Sequence, residues 1–333
     1  MLRFRPFLPA LAVAVFAIAA ACAKDQGSTV LQADDLVPVD GPFDPNMIVD
    51  STAVFTDSYA LPEGVQAFLK KTPYKRPSFL ATYQSNGVLA ADAIQRAADV
   101  YQINPLVFLV RAQMEQGLIG QQYYPFPPSR VEYVFRCGCS GDVCDPALGG
   151  FDRQVDCLGR TLRTSLGQAC GAARATAGGW GVGRASNTVD GVSITPANEA
   201  TAALYQYMPF VNSGAEGGNW LFWNLFQKYA LAVAYPGAVS DQFVGDSCCG
   251  DASCPYAKGV CAVNVSGGMC TASCDAKNPC PSDQGGRKAV CASLSGQGFC
   301  LRDCSASACR KGYACVGVAL IGGGGGKACL PAK

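Results

Sequence analysis

Histidine is absent from this chain of 333 residues. Its absence excludes a Ser-His-Asp triad, a Cys-His nucleophile pair and a His-ligated catalytic zinc. Chemistry carried by carboxylates alone passes this filter, and glycoside cleavage is its main example. Charge is also scarce: Asp, Glu, Lys and Arg make up 15% of the chain, and the formal net charge is +1. No basic patch argues for a nucleic-acid partner. What the chain does hold is a hydrophobic fraction of 49%, enough for a real core, and 19 cysteines. So many cysteines imply an oxidising compartment.

Residues 1–22 read as an export signal. Arg3 and Arg5 form the charged start, and an apolar run over 8–21 is too short to span a bilayer comfortably. Losing this leader takes Lys+Arg from 26 to 24 against 25 Asp+Glu, so the mature chain is near −1. Ala19-Ala20-Ala21-Cys22 resembles a bacterial lipobox. The resemblance implies that Cys22 is acylated and anchors the protein to a membrane of the cell envelope. Ala23 after the cysteine favours the outer membrane, facing the periplasm or the surface. The alternative is an ordinary signal peptide cut after Ala21 or nearby. Residues 23–42 mix Asp25, Asp34, Asp35 and Asp40 with Pro38 and Pro42 without a sustained period, which reads as a flexible tether.

Residues 43–237 carry a globular, helical pattern. Val65, Phe68 and Leu69 mark a first short helix. Leu89, Ala93, Ile94, Ala97, Ala98 and Tyr101 predict an amphipathic helix over 89–101. Residues 120–150 form a Pro-, Gly- and Cys-rich loop. Phe151, Val155, Leu158, Leu162, Leu166 and Ala169 share one helix face. Thr195-Pro196 opens a helix that runs to about Tyr207, and Trp220 to Tyr229 form an aromatic last helix before Pro236-Gly237. The fold class expected from this pattern is mainly α, with a disulfide-rich appendix.

That appendix, residues 248–333, holds 13 cysteines and few large aliphatics. Cys261, Cys270, Cys274 and Cys280 precede Cys291, Cys300, Cys304 and Cys309 by about thirty residues. A third, truncated copy is expected at Cys309, Cys315 and Cys329. Such segments bury too little apolar area to stand without disulfides. With Cys22 set aside for lipid, Cys137, Cys139, Cys144, Cys157 and Cys170 remain in the helical part. Both counts are odd, so the simplest full pairing has one bridge between the parts, with Cys248 or Cys249 as the tail partner. Neither Cys137-Gly138-Cys139 nor Cys248-Cys249 has the spacing of a structural zinc site, so no metal and no cofactor is expected.

The stretch that organises the helical part is residues 103–117. Asn104 is a good N-cap and Pro105 fits the first turn. Leu106, Val107, Phe108, Leu109, Val110, Ala112 and Met114 cover most of the helix surface, which predicts burial. Glu115 closes the helix just before Gly117. Burying a carboxylate raises its pKa, and a carboxyl kept partly protonated is what glycoside cleavage needs as its acid. The plainer alternative is a frayed last turn in which Glu115 pairs with Arg111.

Five blocks in order resemble the lysozyme-like superfamily, most closely secreted bacterial muralytic domains related to soluble lytic transglycosylases. They are Asp44-Pro45-Asn46-Met47-Ile48-Val49 with Phe55-Thr56-Asp57; the helix from Ile103 through Glu115 to Ile119; Gly178-Gly179-Trp180-Gly181-Val182-Gly183; residues 200–209; and Gly218-Asn219-Trp220-Leu221-Phe222-Trp223. The resemblance implies a lysozyme-like helical domain whose partner is the glycan strand of peptidoglycan. Glu115 would protonate the bond between N-acetylmuramic acid and N-acetylglucosamine. It would then accept a proton from the sugar's C6 hydroxyl, a route needing no second carboxylate. A hydrolytic route would want a second acid, for which Asp142, Asp145, Asp152, Asp156, Asp190 and Glu199 are candidates. Gln116, Trp180, Tyr205, Tyr207, Tyr123 and Tyr124 are the candidate sugar contacts. The rival expectation is a lipoprotein that binds peptidoglycan or another carbohydrate without cutting it. In either case the cysteine-rich tail would serve as a spacer or bind an envelope partner.

Overall fold

The computed structural model describes residues 31–332 apart from 56–60, 62, 171–173, 213–216, 236–241, 251–253, 266, 283–286 and 311. The export signal and Cys22 lie outside the described residues. The helices in chain order are α1 (Ser51–Phe55), α2 (Gly64–Lys70), α3 (Ala90–Tyr101), α4 (Pro105–Gln116), α5 (Ser129–Glu132), α6 (Phe151–Ala169), α7 (Glu199–Tyr207) and α8 (Gly218–Ala232). α4 is the axis of the helical part. The Asn104 side chain accepts the Leu106 N–H at 2.9 Å, Pro105 occupies the first turn, and Gly117 ends the helix at φ 66°. Every residue from Pro105 to Met114 is buried. α8 packs on α4, and α6 packs on α3 and α7. The α3–α6 approach depends on Gly159, where a Cβ would lie 2.4 Å from the Tyr101 ring.

The expectation of a mainly α chain is not met. Helices take 34% of the described residues and strands and bridges 18%. Among those residues the strands form six two-stranded antiparallel hairpins. Three lie within the helical part: β1 (Gln84–Ser85) with β2 (Val88–Leu89), β3 (Cys139–Ser140) with β4 (Val143–Cys144), and β5 (Ser186–Asn187) with β6 (Ser193–Ile194). Three build the tail: β7 (Gly259–Cys261) with β8 (Cys270–Ala272), β9 (Ala289–Leu294) with β10 (Gln297–Arg302), and β11 (Tyr313–Ala319) with β12 (Gly325–Pro331). Strands of two or three residues give a periodicity too short to read, and the tail's β-pattern is masked by its glycines and cysteines.

The tail repeat has a different phase from the one its cysteine spacing suggested. Each unit uses four cysteines bridged first to third and second to fourth. The bridges are Cys248–Cys261 and Cys254–Cys270, then Cys274–Cys291 and Cys280–Cys300, then Cys304–Cys315 and Cys309–Cys329. The third copy is therefore complete rather than truncated. Within each hairpin the third and fourth cysteines face each other across the strands, as in Cys291 opposite Cys300, yet each bonds backwards to the preceding loop. Spacing reveals a period, but where a unit begins depends on which sulfurs meet. The two parts are joined by Cys170–Cys249, and Cys137–Cys157 and Cys139–Cys144 staple the loop before and into α6.

Part of the expected tether is built into the core. Asp35 is buried, and its carboxylate accepts hydrogen bonds from Gln32 N at 2.8 Å, Gln113 Nε2 at 2.7 Å and the Tyr74 hydroxyl. Asn224 of α8 donates to the Asp35 and Val37 carbonyls and accepts the Val39 N–H. Composition marked this segment as polar, but a buried acid with three donors holds it down. Asp35→Ala strands those donors and is expected to lower stability by about 3 kcal/mol in urea denaturation. An unchanged midpoint would show that the segment contributes nothing to the fold.

Candidate active site

The C-terminal turn of α4 brings a cation and an acid to one end of a buried helix. Arg111 is wholly buried, with its guanidinium carbon 4.6 Å from the centre of the Tyr207 ring and 4.8 Å from that of Phe222. These ring faces attract the cation. Nη1 lies 4.0 Å from the Met114 sulfur, while Nε and Nη2 are buried without a hydrogen-bond partner. Four residues on, Glu115 is partly exposed as a residue, but its Oε1 is enclosed and also lacks a partner. Burial raises the Glu115 pKa above the ordinary carboxylate value; Arg111 and Arg136 pull the other way and do not overcome it. Burial likewise lowers the Arg111 pKa, against the opposing pull of Tyr207 and Glu115. Glu115 is therefore largely withdrawn from water within range of two positive charges, which favours a protonated carboxyl whose anion is still tolerated.

The chain beyond Glu115 folds back beside it. Leu118 O accepts from Ser78 Oγ at 3.0 Å, Gln121 O accepts the Phe79 N–H at 2.8 Å, and Arg130 Nη2 donates to Gln116 O at 2.5 Å. A cation at the last carbonyls of a helix is favoured by the helix dipole. The loop between carries aromatics into solvent: Tyr123 is 77% exposed, Tyr124 46% and Phe126 85%. Tyr124 packs against Phe79 and Tyr83 with ring centres 5.7 and 5.6 Å apart. Burial raises the phenol pKa values of Tyr83 and Tyr124, and the exposed Glu132 carboxylate raises both further.

The sequence-derived candidates fall into two groups. Glu115 and Gln116 stand at the α4 terminus, Tyr207 covers Arg111 one turn back, and Tyr123 and Tyr124 stand on the adjoining loop. Trp180 and Tyr205 lie elsewhere, stacked on each other at 4.9 Å and buried, with the Tyr205 hydroxyl donating to Pro45 O. Their rings serve the core. The candidate second acids are held in local structure. Asp152 accepts from Ser85 and Asn86, Asp156 from Tyr101 and Arg160, and Glu199 from Ser51. Asp145 caps a turn, Asp190 is held low by backbone N–H groups of Asn212 and Val211, and Asp142 is exposed. Sequence reasoning passed over Tyr83, Phe126, Glu132, Arg130 and Arg136. Phe126 had a signal, since an aromatic residue among Pro125, Pro127 and Pro128 follows no core period; the others are joined to the site only by folding.

Three cysteine groups bring sulfurs within 4.8 Å of one another, for example Cys248, Cys254 and Cys270. All these sulfurs are in disulfides and offer no thiolate to a metal. Two cavities lie away from Glu115. One, of about 350 Å³, lies between α3 and α6 beside Arg96, Arg153 and Arg160, and the other, of about 260 Å³, lies where the tail meets α3. No described helix is long and apolar enough to cross a membrane. Comparison with models of known protein families, with curated proteins and with solved structures finds no match to this chain.

Proposed function

We propose that the helical part cuts the glycan strand of peptidoglycan with Glu115 as its single acid and base. The observation that carries this reading is the Glu115 carboxyl, its pKa raised by burial and its Oε1 enclosed without a partner, at the one end of α4 that is not fully buried. Protonated, it donates to the glycosidic oxygen; ionised, it accepts the proton of the muramic C6 hydroxyl. Arg111 and Arg136 stabilise the anion between these steps. The exposed Tyr123, Tyr124 and Phe126 offer flat apolar faces on which sugar rings stack. The substrate class comes from the resemblance of the five ordered blocks to lytic transglycosylase-related domains. Mass spectrometry of peptidoglycan incubated with the wild-type chain tests the reading, with Glu115→Gln as control. Anhydro-muramic ends made by the wild type alone support it, and reducing ends would move the reaction to hydrolysis. Binding without cutting by both proteins would favour the second reading, a carbohydrate-binding lipoprotein. That second reading would rest on the exposed Tyr123, Tyr124 and Phe126, which can hold a sugar without any proton transfer.

The same proposal places the protein on the cell envelope through a lipid on Cys22. Cys22→Ser is expected to shift it from the membrane fraction to the soluble fraction. Retention of the variant in the membrane fraction would remove the lipid from the account.

A further inference from the structure

The junction between tail and helices is built around an acid outnumbered by cations. Asp246 is buried, and four donors converge on it. Gln102 Nε2 at 3.0 Å and Arg302 Nη1 at 3.6 Å face Oδ1, while Phe243 N at 2.7 Å and Arg287 Nη1 at 3.1 Å face Oδ2. This carboxylate has little capacity left to accept. Arg302 still keeps a buried Nε with no partner. Arg310 is drawn into the same place, with Nε donating to Gly245 O at 3.1 Å, Nη2 donating to Gly268 O, and its guanidinium carbon 3.8 Å from the centre of the Tyr313 ring. Arg163 of α6 donates to the Tyr101 and Gln102 carbonyls beside them. Its pKa is pushed down to about 9, first by burial and then by the like charge of Arg310.

These groups border the cavity of about 260 Å³, whose charged walls are Arg287, Arg302, Arg310, Asp246 and Asp99. Three guanidinium groups thus face two carboxylates, with Arg163 adding a further cation behind. Like charges gathered out of water repel strongly, and a guanidinium nitrogen without an acceptor adds to that strain. An oxyanion would supply the negative charge that the cavity walls lack, and guanidinium groups match carboxylate and phosphate geometry. The volume lies just below the roughly 300–1,000 Å³ of sites for drug-sized ligands, which suits a small ligand.

We propose that this cavity is a binding site for a small oxyanion, a phosphate or carboxylate group held at Arg302 by the excess positive charge of Arg287, Arg302 and Arg310. Because its walls come from both α3 and the tail, the bound anion ties the two parts together. The site is independent of the Glu115 chemistry, so either can fail alone.

Calorimetry and thermal denaturation of the full chain, titrated with sodium phosphate or with malonate at constant ionic strength, test the site. Sodium chloride is the control. At least one oxyanion is expected to give a saturable heat and a rise in Tm that chloride does not give. The tighter of the two arms distinguishes a phosphate from a carboxylate ligand. Arg302→Gln is expected to weaken binding about ten- to hundredfold, since it removes a charge-assisted contact. Arg160→Gln, in the cavity between α3 and α6, is expected to bind as the wild type does. Should Arg302→Gln fail to fold, Arg302→Lys takes its place, keeping the charge and losing the fork. Wild-type heats that do not saturate by about 10 mM, with no change in Tm, overturn the proposal. Equal affinities for Arg302→Gln and Arg160→Gln overturn it as well.

Discussion

Glu115→Gln is expected to abolish glycan cutting, with a loss of at least about 10²–10⁴-fold, the usual contribution of a positioned proton donor. The substitution keeps the shape of the side chain and removes only its proton chemistry. The wild-type pH profile should carry the same signature. A general acid works while protonated, so the rate should fall as pH rises through the Glu115 pKa, and burial sets that fall above the ordinary carboxylate range. A fall near the ordinary value, about pH 4.3, would mean that burial does not govern this acid.

Stability should report on the same group independently of any substrate. In the folded chain Glu115 keeps its proton to a higher pH than it does when unfolded. Between those two values the folded state binds more protons, so wild-type stability falls as pH rises through the window. Below the unfolded value both states are protonated and Glu115 contributes no pH dependence. Glu115→Gln should flatten this part of the stability profile and gain on the wild type toward neutral pH. Superimposable profiles for the two proteins would mean that the carboxyl is solvated, and the acid role would go with it.

Removing the bridge between the parts, by Cys170→Ser with Cys249→Ser, is expected to have the largest effect on stability. The bridge spans 79 residues of chain, including α7 and α8. Loop-closure entropy for a span of that length comes to about 4.5 kcal/mol. Urea denaturation of the double variant should show a loss of that order, while Cys139→Ser with Cys144→Ser, whose bridge spans 5 residues, should lose much less. Equal losses from the two pairs would indicate that local packing, rather than chain closure, sets the value of these bridges.

Much of the helical part was legible in the sequence because its helices are long enough to show a period. The helices expected over 89–101, 105–116 and from Phe151 to Ala169 correspond to Ala90–Tyr101, Pro105–Gln116 and Phe151–Ala169. Asn104, Pro105 and Gly117 marked the ends of α4 through local backbone chemistry that acts within a few residues. The hairpins were not legible, and the mainly α expectation failed with them. In strands of two residues, such as Gln84–Ser85, there is no alternation to detect. The candidate aromatics show a further limit. Tyr205 and Tyr207 are two residues apart, yet one is wholly buried against Trp180 while the other covers the Arg111 guanidinium. Spacing identified both as aromatic residues on one helix and could not say which faced the core.

The amino-acid sequence by itself determined that no histidine chemistry operates here, that α4 would be buried, and that cysteines would staple a repeating tail. These follow from composition and from interactions between near neighbours. Tertiary structure alone decided the phase of the cysteine units, the docking of Asp35 under Gln113 and Tyr74, and the gathering of Arg287, Arg302 and Arg310 around Asp246. Each of these joins residues distant in the chain, and their energies depend on burial and charge separation. Those quantities have no value until the chain has closed on itself.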